Sequence, residues 1–218
     1  MVQVASAENR HAMSGLPDRP VVAISRDHGS GGDIIGAMLA QRLGVPAYDG
    51  IILDKIAERL KTEPESLRAI DEGVGEARDL WLYRMVTGVD VSPGTYRRHL
   101  VNVILSLSKL GGVIFDRGAH VILSTSAALR VRITGSPEAC AERVAADEKI
   151  DRETAVRRIE EVNHNHGKFV WDMFESRMND PTAFDIVVNT DRLTDHENVV
   201  EMLISAYRAI GQGNMNGR

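Results

Sequence analysis

The chain has 218 residues, a mass of 24.0 kDa and a net charge of −5, with 26 Lys and Arg against 31 Asp and Glu. That length suits one domain with an insert, and a chain of this size buries about 70% of its unfolded surface without needing disulfides. The acidic balance argues against a nucleic-acid partner, the single Cys140 rules out an internal disulfide, and no apolar run approaches the roughly 20 residues of a membrane span.

No apolar leader opens the chain, so a reducing, cytoplasmic setting is expected. Residues 1–19 mix small, polar and charged types without periodicity and read as a disordered tail. Residues 211–218 read as a second flexible tail, which leaves 20–210 as the folded domain. Val21 to Ile24 is a β-branched strand, and Asp33 to Leu43 has helical spacing through Ile34, Ile35, Met38 and Leu39. Gly44, Val45 and Pro46 stop that helix. A second amphipathic helix is predicted over 51–60, then mostly helix over 63–110 with breaks near Gly73 and Gly88. Gly112 to Phe115 and Leu129 to Thr134 are predicted strands. Ser136 with Pro137 starts a helix. A long charged helix or helix pair runs from Asp151 to about Arg177, Phe184 to Val188 is a late strand, and His196 to Ile210 closes the chain. Strands alternating with helices imply an α/β fold with a parallel sheet.

Between the first strand and the first helix lies His28-Gly-Ser-Gly-Gly32. A glycine loop feeding a helix N-terminus exposes unpaired N–H groups and the positive end of the helix dipole, which suits a phosphate. A plain strand–helix turn is the alternative. The loop departs from a regular P-loop: Gly32 stands in the lysine slot and Asp33 follows it. Asp33 faces a triphosphate unfavourably unless a metal intervenes, or it simply favours the helix dipole.

The stretches Val22 to Gly32, Leu43 to Asp49, Val113 to Ala119 and Phe184 to Thr190 together resemble the cytidylate kinase-like family. The resemblance spans about 20–210. It implies a P-loop NTPase-like three-layer sandwich, a parallel sheet flanked by helices, with a monophosphate-binding insert and a lid. It also implies transfer of the ATP γ-phosphoryl group to a nucleoside monophosphate, (d)CMP to (d)CDP, with Mg²⁺ accompanying ATP. Such a reaction rests on positioning and charge neutralisation.

On that pattern Gly29, Ser30, Gly31 and Gly32 cradle the donor phosphates. Asp49, Lys55 and Arg117 hold the acceptor, with Lys55 where relatives carry an arginine. Arg117, Arg143 and Arg152 are the candidate catalytic cations, and Arg143, Arg152, His166 and Lys168 the lid candidates. Asn163 and His166 stand where the family lid has an acid and an arginine, which weakens charge neutralisation. No metal site held by the protein alone is expected, because His164 and His166 at i, i+2 do not share a helix face. These departures leave open a catalytically silent nucleotide sensor, or a structural partner-binding domain. Trp81 and Tyr83 read as core or partner surface, Cys140 as a buried inert thiol, and Trp171, Phe174 and Met178 as packing residues.

Overall fold

The computed structural model describes residues 19–49 and 93–213. Residues 1–18 and 214–218, the helix predicted over 51–60, Lys55, the Trp81 and Tyr83 patch and the expected insert lie outside that range, while the closing helix runs on to Gly213, three residues into the tail expected from 211. Among the described residues five strands form one parallel sheet: β1 (Val21–Arg26), β2 (Ala47–Tyr48), β3 (Gly112–Phe115), β4 (Leu129–Thr134) and β5 (Ile186–Asn189), in the order β2-β3-β1-β4-β5. The helices are α1 (Gly32–Leu43), α2 (Pro93–Ser108), α3 (Ala119–Ile122), α4 (Pro137–Glu148), α5 (Arg152–Phe174) and α6 (His196–Gly213).

Strand alternation sorts the core into two layers. Val22, Ile24, Val113, Phe115, Val131 and Ile133 face α1 and α6, where Ile35, Leu39, Val200 and Leu203 meet them. Ala23 and Ile114 face the opposite side, against Leu100 and Ile104 of α2 and Phe169, Val170 and Met173 of α5. β1 lies between β3 and β4, so both faces and both edges are covered. That explains its nearly unbroken apolar run. The chain leaves β1 toward β2 on one side and later returns to β4 on the other, which opens a crevice at the carboxyl end of β1.

Helix ends follow local chemistry. Gly44 takes φ 66 and closes α1 through its N–H to Ala40 and Gln41 carbonyls. The Ser136 hydroxyl accepts from Ala139 N–H to start α4, and the Asp151 carboxylate accepts from Thr154 N–H to start α5. Only Lys149, Ile150 and Asp151 separate α4 from α5, so no long excursion lies between them.

Three sequence expectations shift. The last strand starts at Ile186, because Phe184 leaves the ladder to stack on His120 at 4.6 Å. α5 ends at Phe174 rather than near Arg177, with Glu175 capping in the left-handed region. Trp171 is not packed in the core: it is 48% exposed, with the Arg177 guanidinium 5.5 Å above its ring. Tyr96, at the start of α2, is instead buried edge-on against Phe169 at 6.2 Å. Cys140 is buried as expected.

His120 is buried, with Nδ1 3.0 Å from the Ser25 hydroxyl. Burial, helped by Arg132 and Arg130, pushes its pKa from 6.5 down to about 4. The unfolded chain therefore binds a proton between pH 6.5 and 4 that the folded chain refuses, so stability falls with pH through that window. The loss approaches about 3 kcal/mol below pH 4. Urea unfolding of wild type should show that slope, and His120→Gln should flatten it. An unchanged slope in the variant would assign the acid sensitivity elsewhere.

Candidate functional site

The crevice at the end of β1 is floored by the glycine loop. Gly29 and Gly31 take φ 78 and 77, and Gly31 caps α1 without any side-chain hydrogen bond. A Cβ at Gly29 would also lie 2.7 Å from the Cys140 carbonyl oxygen, so this turn is pressed against α4. The bonds that close the loop are Ser30 N–H to Asp27 O and Ile35 N–H to Gly31 O. They use none of the N–H groups of Gly29, Gly31 or Gly32. The loop thus presents backbone donors at the start of a twelve-residue helix.

The loop is held from several sides. The Ser30 hydroxyl donates to Asp27 O at 2.7 Å, and the Thr190 hydroxyl donates to Ser30 O at 2.9 Å. Arg143 of α4 donates to Gly29 O at 3.1 Å and to Thr190 O at 2.9 Å. His28 N–H donates to the Asn163 side chain of α5 at 2.9 Å. The His196 ring at the start of α6 covers Gly31, with Nε2 about 3.0 Å from where a Cβ would lie.

Arg26 ends β1 at the mouth of the loop. Its Nε lies 2.5 Å from Asp33, its Nη1 2.5 Å from Asp116 and its Nη2 3.2 Å from Asp49. Its backbone N–H also donates to Asp116 at 3.2 Å, and its guanidinium lies 4.8 Å over the Phe115 ring. The three pairs are unequal. Asp33 and Asp49 are 66% and 56% exposed, where ion pairs contribute about 1 kcal/mol or less. Asp116 is 8% exposed, so leaving it alone would cost roughly 3–5 kcal/mol.

A cleft of about 610 Å³ opens beside the loop, between α5 and the ends of β1 and β4. Asp27, Arg132, Asn163, Lys168, Trp171 and Arg177 line it. Arg132 reaches it from β4 and pairs with Asp27, which also accepts from the Thr134 hydroxyl at 2.5 Å. The second guanidinium nitrogen of Arg132, Nη1, is buried with no hydrogen-bond partner among the described residues. Lys168 also pairs with Asp172 at 3.1 Å.

The expected site residues are placed as follows. Gly29, Gly31 and Gly32 form the loop, but Ser30 spends both its N–H and its hydroxyl on Asp27 O, so it braces the turn rather than offering a donor. Arg143 likewise spends its guanidinium on loop and β5-end carbonyls instead of standing in a lid. Arg152 opens α5 with an exposed side chain, roughly 16 Å along the helix from Asn163. Arg117 follows Asp116, both at positive φ, and lies 5.9 Å over Phe169. Asp49 is tied to Arg26. His166 is half-buried. That burial lowers its pKa, and Arg117, Arg26 and Arg132 push the same way against the pull of Asp116, so it is neutral at pH 7. Sequence reading passed over Arg26, Asp27, Arg132 and His196. The one available signal was charge at both ends of buried strands: Arg26 closing β1, and Arg130 and Arg132 alternating with Leu129, Val131 and Ile133.

The model of the cytidylate kinase-like family matches residues 21–192. No curated protein matches the chain. Among solved structures, an uncharacterized protein from Eubacterium ventriosum is similar at 21% identity and TM-score 0.64, covering 87% of this chain and 98% of its own. Shikimate kinase from Bacteroides thetaiotaomicron aligns at 14% identity and TM-score 0.48, covering 88% and 97%. Shikimate kinase from Acinetobacter baumannii in complex with shikimate aligns at 13% and 0.46, covering 86% and 94%. The fold is a P-loop kinase-like three-layer sandwich, with helices on both faces of the parallel sheet.

Arg143→Met removes the clamp between α4, Gly29 and β5. Charge-assisted bonds of this kind contribute roughly 1.5–3 kcal/mol. The variant should unfold at lower urea by about 2 kcal/mol. Wild-type stability in the variant would show that the loop does not depend on the clamp.

Proposed function

Because the chain belongs to the cytidylate kinase-like family, we propose that it transfers the ATP γ-phosphoryl group to a nucleoside monophosphate in the cytoplasm, CMP or dCMP first. The observation that carries this reading is the uncapped glycine loop at the crevice, with its free backbone donors at the start of α1. An oxygen of the acceptor phosphate attacks Pγ, the bond from Pγ to the β-bridging oxygen breaks, and ADP leaves with that bond's electrons. The protein has little covalent work to do and must chiefly align and neutralise.

The donor phosphates rest on the N–H groups of Gly29, Gly31 and Gly32. The acceptor takes the cleft beside the loop, where Arg132 has guanidinium capacity to spare and Lys168 and Arg177 add positive charge. Arg117 at the end of β3 binds the acceptor phosphate in this reading, and Asp49 and Lys55 are its other proposed acceptor-binding residues. Among the described residues no three acidic, His or Cys side chains converge as a cation cage. Asp33, 66% exposed in the first turn of α1, suits Mg²⁺ that arrives on ATP, since that ion keeps several waters and takes one or two protein carboxylates. When bound, Mg²⁺ neutralises the triphosphate. Asp33 is the residue that would hold it.

A silent nucleotide sensor is the second reading. Its support is that Arg26 already faces three carboxylates and that His166 is neutral. A coupled ADP-release assay with ATP, Mg²⁺ and a panel of monophosphates separates the two. The kinase reading expects turnover, with kcat/KM highest for CMP or dCMP. Tight nucleotide binding with no turnover on any monophosphate would favour the sensor and overturn the kinase.

A further inference from the structure

The loop lacks the lysine that a regular P-loop carries, and Gly32 stands in its place. The space above Gly32 is nevertheless filled. A Cβ at residue 32 would lie 2.7 Å from Arg26 Cβ, 3.2 Å from Cδ and 3.4 Å from Cγ. The aliphatic stem of Arg26 therefore occupies the volume where a side chain at residue 32 would begin. The stem arrives from the last residue of β1, before the loop, instead of from the first turn of α1.

Its cation is also fixed. The stem lies along Gly32, the guanidinium lies over Phe115, and Asp33, Asp49 and Asp116 engage Nε, Nη2 and Nη1. A guanidinium has five N–H donors. Three ion pairs leave one hydrogen on each terminal nitrogen, the pairing that grips two oxygens of one phosphate.

We propose that Arg26 is the phosphate-binding cation of this loop, replacing the absent lysine from the opposite side of Gly32, and that its ligand is the β- and γ-phosphates of a nucleoside triphosphate. This rests on the nucleotide-binding reading above and deepens it. Gly32 is then required for space: a side chain there collides with the residue that does the lysine's work. Asp33 and Asp116 hold the guanidinium in place before nucleotide arrives.

Calorimetric titration with the Mg²⁺ complex of a non-hydrolysable ATP analogue, and with AMP, tests the assignment. In R26Q the triphosphate should bind at least about tenfold more weakly, while AMP affinity changes by less than about threefold. G32K restores the regular motif on paper, yet it should also weaken triphosphate binding, because Arg26 must be displaced. The double variant R26G/G32K, which removes the Cβ, Cγ and Cδ that lie against residue 32, should recover triphosphate affinity to within about threefold of wild type, since the lysine then has both room and a function. Triphosphate binding unchanged in R26Q, or tightened in G32K, would overturn the proposal. The Arg26 Nε–H resonance of wild type gives a readout independent of variant folding. It should shift with the triphosphate analogue and not with AMP, and an unmoved resonance at saturation would overturn the proposal. Absence of triphosphate binding by wild type would instead defeat the nucleotide-binding reading itself.

Discussion

One arginine facing three carboxylates organises the site. Arg26 joins the end of β1 to the end of β3 through Asp116, to the first turn of α1 through Asp33 and to the end of β2 through Asp49. The buried Asp116 pair dominates the energetics, because its desolvated carboxylate needs both the guanidinium and the Arg26 backbone N–H. The exposed pairs add little stability, but they limit where the guanidinium can point. An arginine held this way is preorganised, and preorganised charge is what phosphoryl transfer asks of a protein.

The loop is kept open by what surrounds it. Thr190, Arg143 and Asn163 take up loop backbone groups on three sides, and each comes from a different part of the sheet or its helices. The groups they engage are the carbonyls of Gly29 and Ser30 and the N–H of His28. Ser30 turns inward to Asp27, so the remaining glycine N–H groups are left outward. The long helix α5 does two things at once. Its C-terminal half fills the core with Phe169, Val170 and Met173, and its middle lines the cleft with Asn163 and Lys168. With three residues between α4 and α5, cleft and core share one rigid wall.

Much of this was legible in the sequence. The β-branched run before the glycines, Gly44 with Pro46, Ser136 with Pro137 and the alternation from Leu129 to Thr134 each reflect a local rule, and each marks an element that is present. The family resemblance on Val22 to Gly32 and Phe184 to Thr190 identified the fold. Side-chain roles were less legible, because they depend on distance across the sheet. Arg143 looks like a lid cation in sequence, yet a helix away it meets Gly29 and Thr190. His166 looks like a weak cation until burial beside Arg26, Arg117 and Arg132 makes it neutral. Arg26 gave no local signal beyond a charge closing a buried strand. Its significance appears once Asp33, Asp49 and Asp116, up to 90 residues away, converge on it.

The direct measurement of the central claim is a crystal structure with a Mg²⁺-bound ATP analogue. The account expects the β-phosphate within hydrogen-bond distance of the Gly29, Gly31 and Gly32 nitrogens, with the Arg26 guanidinium reaching a β- or γ-phosphate oxygen. A nucleotide seated elsewhere, or a triphosphate in the loop with Arg26 still facing only its carboxylates, would contradict it.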